Sequence, residues 1–142
     1  MYLTYEEYQQ YGGTLDETAF NDIEFEAESY IDWYTFNRLW GQTEYPPRLK
    51  RCVYHIIKLI ELKMQLMGQP TESQKQQSID GTGNQIASMS NDGVSISYGI
   101  VSAHEALELT KKEVDKTIEQ QLAGVTNNLG RKLLYRGIYP NE

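Results

Sequence analysis

The stretch LDETAFNDIEFEAESYIDWYTF, residues 15–36, decides the fold class. Phe20, Ile23, Ala27, Tyr30, Ile31 and Tyr34 recur at three- and four-residue spacing, which lays them along one face of a helix. Thr14-Leu15-Asp16-Glu17 reads as a capping box at its start. With Gly41 as the stop, the pattern predicts a helix over 15–40, roughly 35 Å long. The other face carries Glu17, Asp22, Glu24, Glu26, Glu28 and Asp32. A solvated face is the plain reading of such a run.

The pattern extends to both sides. Thr4-Tyr5-Glu6-Glu7 is a capping box opening a short helix over 4–11, which Gly12-Gly13 ends. Tyr2, Tyr5, Tyr8 and Tyr11 share one side of it. That stripe either packs on the body of the domain or forms a second subunit contact through Tyr2, Tyr5 and Tyr8. Pro46-Pro47 begins a helix over 46–67, since proline is tolerated in a first turn. Its apolar stripe is Leu49, Val53, Ile56, Ile60, Met64 and Met67, and its basic residues match the acidic helix in an antiparallel pair.

Residues 68–85 are almost devoid of apolar side chains and read as a flexible loop. Residues 86–99 then change period. Val94 to Tyr98 alternate strictly, and Asp92-Gly93 is a two-residue hairpin turn. Centring that turn places Ala87, Met89, Val94, Ile96 and Tyr98 on one face, with the serines on the other. Ser102 to Glu105 is a third capping box, opening a helix over 103–123 with Leu107, Val114, Ile118 and Leu122 on its stripe. The segment 127–142 is a tail in which Arg131, Lys132 and Arg136 alternate with Leu133, Leu134, Tyr135, Ile138 and Tyr139. The fold class is mainly α: a small helical bundle of two long antiparallel helices plus a short N-terminal and a C-terminal helix, with a β-hairpin insertion and an extended C-terminal tail. All 142 residues are expected to form a single domain.

Composition narrows the function. The net charge of −7 opposes a duplex-wrapping protein, because phosphate binding needs a basic face. Cys52 is the sole cysteine, so no internal disulfide forms and a reducing compartment fits. It sits in a helical apolar pattern and reads as a small buried hydrophobe. MYLTYEEYQQ has neither the basic nor the apolar region of a signal peptide. No run approaches the ~20 apolar residues of a membrane span. A soluble protein made in the cytoplasm, with no membrane partner, is expected.

Enzyme signatures are thin. His55 lies in a helical core pattern and His104 in a cap, with no zinc spacing between them. Asp80 to Asn84 lacks both the EF-hand ladder and a Walker lysine. No nucleophile elbow is present, and the carboxylates lie along helix faces. No enzyme, no cofactor and no metal are expected. Eleven Tyr and two Trp against three Phe point instead to surfaces that become interfaces.

Three features resemble one family. The hairpin SMSNDGVSISYG is similar to the Ser-rich, turn-Gly, Val-Ser-Val-Ser-Tyr stretch of the small head–tail connector proteins of tailed bacteriophages, also called adaptor or head-completion proteins and found in prophages. The ending LLYRGIYP resembles their terminal Leu-Tyr-Arg-Gly segment. A short Tyr/Glu helix, Gly-Gly and a long helix give the same opening. The resemblance spans most of the chain, apart from 68–85.

It implies a structural virion protein at the head–tail interface, assembled in the host cytoplasm. It implies a ring of identical subunits, twelve-fold on the portal, which extends the DNA channel and meets the next head-completion or tail protein. DNA would pass through without specific binding. Val94, Ile96 and Tyr98 of the hairpin and Leu134, Tyr135, Arg136 and Ile138 of the tail are then the expected subunit or portal interface. Glu24, Glu28 and Asp32 are the expected acidic channel lining. The alternative is a non-viral helical partner-binding or regulatory module, for which acidic helices and a sticky tail would also serve.

Overall fold

The structure, a computed structural model, describes residues 1–67, 88–91, 94–97 and 103–140. It is mainly helical: α1 (Tyr5–Gln10), α2 (Glu17–Thr35), α3 (Pro47–Met67) and α4 (Ala103–Leu122), with two short strands, β1 (Ser88–Asn91) and β2 (Val94–Ser97). The chain forms two compact units, residues 1–57 with 115–142 and residues 58–114. Expectations for 68–85, for Asp92-Gly93, for Tyr98 and for the third capping box fall outside the described residues.

Local chemistry sets the helix ends. Thr4 and Glu7 form a reciprocal capping box, with Thr4 Oγ1 accepting from Glu7 N and the Glu7 carboxylate accepting from Thr4 N. Gly12, at φ 93°, ends α1. At α2 the cap is Asp16 rather than the expected Thr14 box: its Oδ1 accepts from Ala19 N at 2.9 Å. Pro47 occupies the first position of α3, where its missing N–H costs nothing.

Helix α2 stops at Thr35 rather than near residue 40. Phe36 and Asn37 both adopt left-handed conformations, φ 54° and 57°. Short turns follow, with Arg38 N donating to Thr35 O and Trp40 N to Asn37 O. The break has a packing cause. In a continuous helix Leu39 would lie on the same side as Phe36, three residues back. In the structure Leu39 is fully buried and Phe36 is half exposed. Only a change of direction separates them, at a cost of about 1–2 kcal/mol per left-handed residue.

The first unit packs around Tyr8, which is fully buried. Its ring lies 4.9 Å from Phe20 of α2 and 5.9 Å from Tyr54 of α3. Its hydroxyl accepts the N–H groups of Thr14 and Leu15. Ile23, Ala27, Ile31, Leu49, Val53, Ile56, Ile118, Leu122 and Leu133 complete this core. Lys50 pairs with Glu7, tying α3 to α1.

In the second unit Leu59, Ile60, Leu62, Thr110 and Val114 are buried. Lys58 belongs to this interior rather than to a basic outer face. It is fully buried and pairs with Glu61 one turn on, at 3.0 Å. Such a pair is costly to break because it would strand a buried charge. Strands β1 and β2 pair antiparallel, Met89 opposite Ile96 and Asn91 opposite Val94. No helix among the described residues is long and apolar enough to cross a membrane.

Cys52 is fully buried, and burial pushes its thiol up to about 12. The thiolate is the reactive form. Native protein at pH 8 should therefore give no rapid reaction with a thiol-specific disulfide reagent, and one equivalent should react in denaturant. Rapid labelling of the native chain would contradict this burial.

Candidate assembly surface

Helix α2 has two apolar faces. Phe20, Ile23, Ala27 and Ile31 are buried on one. On the opposite side Phe25 and Trp33, with Phe36 just past the helix end, follow i, i+8 and i+11 spacing and share a second stripe. They are 71%, 75% and 51% exposed. Trp40, 67% exposed, joins them beyond the break, its indole N–H donating to Asp32 Oδ2 at 2.9 Å. Of the five Phe and Trp residues in the chain, only Phe20 is inside. Scattered exposed apolar residues are ordinary, but contiguous aromatic ones mark an interaction surface.

The tail returns to this same corner and is held by Arg38. That side chain is buried, and its guanidinium donates to the carbonyls of Leu133 (3.3 Å), Tyr135 and Gly137 (2.7 Å). It lies 5.1 Å from the ring centroid of Phe36 and 5.2 Å from that of Tyr139. A planar fork that meets several carbonyls and also lies against aromatic rings suits arginine and not lysine. Asn127 adds a second tie: Nδ2 donates to Arg38 O, while Oδ1 accepts from Leu129 N and Arg131 N. Leu133 N donates to Val125 O, and the Leu133 side chain is fully buried.

Arg136 lines an open cleft of about 730 Å³, whose other walls include Ser29, Asp32, Trp33, Phe36 and Trp40. Tyr34 also lines it. Burial, then a hydrogen bond to the Asp115 carboxylate, holds the Tyr34 hydroxyl well above the usual phenol range. It therefore stays protonated. The cleft combines flat aromatic surface with one cation and one carboxylate. Among the described residues no cluster of His, Cys, Asp and Glu is suited to a metal ion.

The residues singled out in the sequence divide. Tyr135, Arg136 and Ile138 face outward, Ile138 at 87% exposure, while Leu134 is half-buried. Val94 and Ile96 lie on β2, and their side chains are outside the described residues.

Of the two readings of the tyrosine stripe, the structure agrees with packing on the domain body: Tyr2 and Tyr8 are buried within their own unit, which corrects their assignment to a second subunit contact, and Tyr5 is half-buried and donates to Leu15 O. Glu24 is also buried and cannot line a channel. It accepts the N–H groups of Tyr2 (2.7 Å) and Leu3, while Glu28 takes the Met1 amino group and Asp32 the Tyr2 hydroxyl. The acidic run is thus a rail that holds residues 1–3. Burial raises the Glu24 carboxyl, and the two N–H donors oppose that shift.

Sequence reasoning missed Phe25, Trp33, Phe36 and Trp40. Their signal was present, since Phe25 and Trp33 sit among acids and out of phase with the apolar stripe. No family model, curated protein or solved structure matches this chain.

Proposed function

We propose that this chain is a structural assembly protein of the phage head–tail connector kind, whose copies form a ring beneath a portal, join head to tail and extend the DNA channel. The observation that carries an assembly role is the exposed aromatic stripe beside a tail held in place with Tyr135, Arg136 and Ile138 outward. An arginine clasp that orders a greasy tail lowers the entropy cost of docking it. The connector assignment itself rests on the sequence resemblance of the hairpin and the ending. A net charge of −7 suits a wall along which DNA slides without being gripped.

In this reading the hairpin is an insertion that supplies a second, different contact, as a ring requires. Two four-residue strands are marginal by themselves and gain from a neighbour. The tail residues meet the portal. Catalysis has no part.

Deleting residues 131–142 would also remove buried Leu133, so a point substitution is the cleaner test. Ile138→Asp should leave thermal stability within about 0.5 kcal/mol, as expected at an exposed site. It should weaken attachment to portal-bearing heads by tenfold or more, the size expected of a central contact. Unchanged attachment would sink the tail assignment. Negative-stain imaging with and without portal separates the connector from a regulatory module, which would form no ring.

A further inference from the structure

The exposed stripe of α2 has an internal symmetry. Asp22, Phe25, Ser29 and Trp33 lie along one side of α2, and Phe36 follows just past its end. Phe25 and Trp33 stand four residues either side of Ser29. Asp22 and Phe36 stand seven either side. Arg136 sits in the cleft at the Phe36 end, together with Trp33 and Trp40. The stripe therefore reads acid, large, small, large, aromatic-with-cation.

We infer that the free protein pairs with a second copy of itself through this stripe, as an antiparallel two-fold dimer crossing at Ser29. A two-fold contact must be self-complementary, each residue meeting its counterpart's mate. Here the pattern supplies that. Ser29 opposite Ser29 lets the backbones approach, and Phe25 of each copy lies beside Trp33 of the other. Asp22 of each copy comes level with the other's Phe36 and Arg136, opposite charge to opposite charge.

The area suffices. Aromatic side chains bury roughly 150–250 Å² each. At their partial exposures, covering Phe25, Trp33, Phe36 and Trp40 on both copies removes on the order of 1,000 Å² from water, the lower bound for a specific interface. A parallel pairing would instead set Asp22 against Asp22 and Arg136 against Arg136. This inference rests on the same stripe as the assembly role, but not on the resemblance behind the connector reading. A ring needs heterologous contacts, so the dimer describes the protein before any ring forms.

Sedimentation of the purified full chain tests it. The wild type should run as a dimer at tens of micromolar. Ser29→Arg, an exposed change that should not alter melting, places bulk and like charge at the crossing and should weaken pairing about tenfold or more. Asp22→Lys and Arg136→Glu should each weaken it too. Mixing those two variants should restore a dimer, because each then offers the charge that the other lacks.

A monomeric wild type at ~100 µM overturns the inference, and so does a stripe shielded only when portal is added. A larger ring or dimer indifferent to Ser29→Arg overturns it as well. So does a mixture that stays monomeric while both variants melt like the wild type. Loss of head attachment by Ile138→Asp with the dimer intact would uphold both readings separately.

Discussion

Arg38→Ala should cost about 3 kcal/mol and lower the melting temperature by roughly 10 °C. The guanidinium meets three tail carbonyls and two aromatic rings at once. Hydrogen bonds to a charged group contribute about 1.5–3 kcal/mol, and the carbonyls left behind would lose their donor in a partly buried site. One kilocalorie shifts the midpoint by a few degrees in a chain of this size. The tail should then loosen first, because its three carbonyls lose their shared donor while Asn127 and Leu133 hold only its start. Trypsin reports this directly, since Arg131, Lys132 and Arg136 all lie in the released segment. Cleavage there should accelerate well before the rest of the chain opens. Arg38→Lys should recover little, because an ammonium lacks the planar fork that reaches three carbonyls while also stacking on aromatic rings. If Arg38→Ala melts within a degree of the wild type, the clasp does not hold the tail.

Much of the helical layout is legible in the sequence, because period and caps agree there. The Thr4–Glu7 box and the 3–4 spacing of Phe20, Ile23, Ala27 and Ile31 each specify local geometry. Pro47 does the same for α3. The end of α2 is not legible in this way. Phe36 takes a left-handed conformation against its own preference because Leu39 must reach the core, and that demand is tertiary. Asn37, the residue type that tolerates this region best after glycine, was the available sign.

Tyr2, Tyr5 and Tyr8 are legible as one side of α1, but spacing alone does not say what covers that side. Phe20 and Tyr54 cover Tyr8. Glu24 looks solvated because it sits in an acidic run. The returning backbone N–H groups of Tyr2 and Leu3, with the Met1 amino group nearby, make its burial tolerable. The exposed aromatics escape a reading that asks which apolar residues share the main stripe. Asking which large apolar residues fail to share it points to Phe25 and Trp33 at once.

Gly13→Ala should destabilise the first unit by about 3 kcal/mol. Two adjacent glycines follow α1, and they are needed for different reasons. Gly12 needs its freedom of backbone, at φ 93°. Gly13 needs space: a Cβ there would lie 2.2 Å from the Tyr8 ring. The ring has nowhere to go. Phe20 and Tyr54 pack against it, and its hydroxyl holds the N–H groups of Thr14 and Leu15, the residues directly after Gly13. Moving it costs the overpacking penalty of about 1–3 kcal/mol together with those hydrogen bonds.

A double-mutant cycle separates this account from a backbone effect. Tyr8→Leu destabilises by itself, but in that background Gly13→Ala should cost less than about 1 kcal/mol, because the smaller side chain vacates the space. An equal cost in both backgrounds would mean that Gly13 matters through its own conformation. The turn after α1 would then be set by the two glycines and not by the tyrosine they enclose.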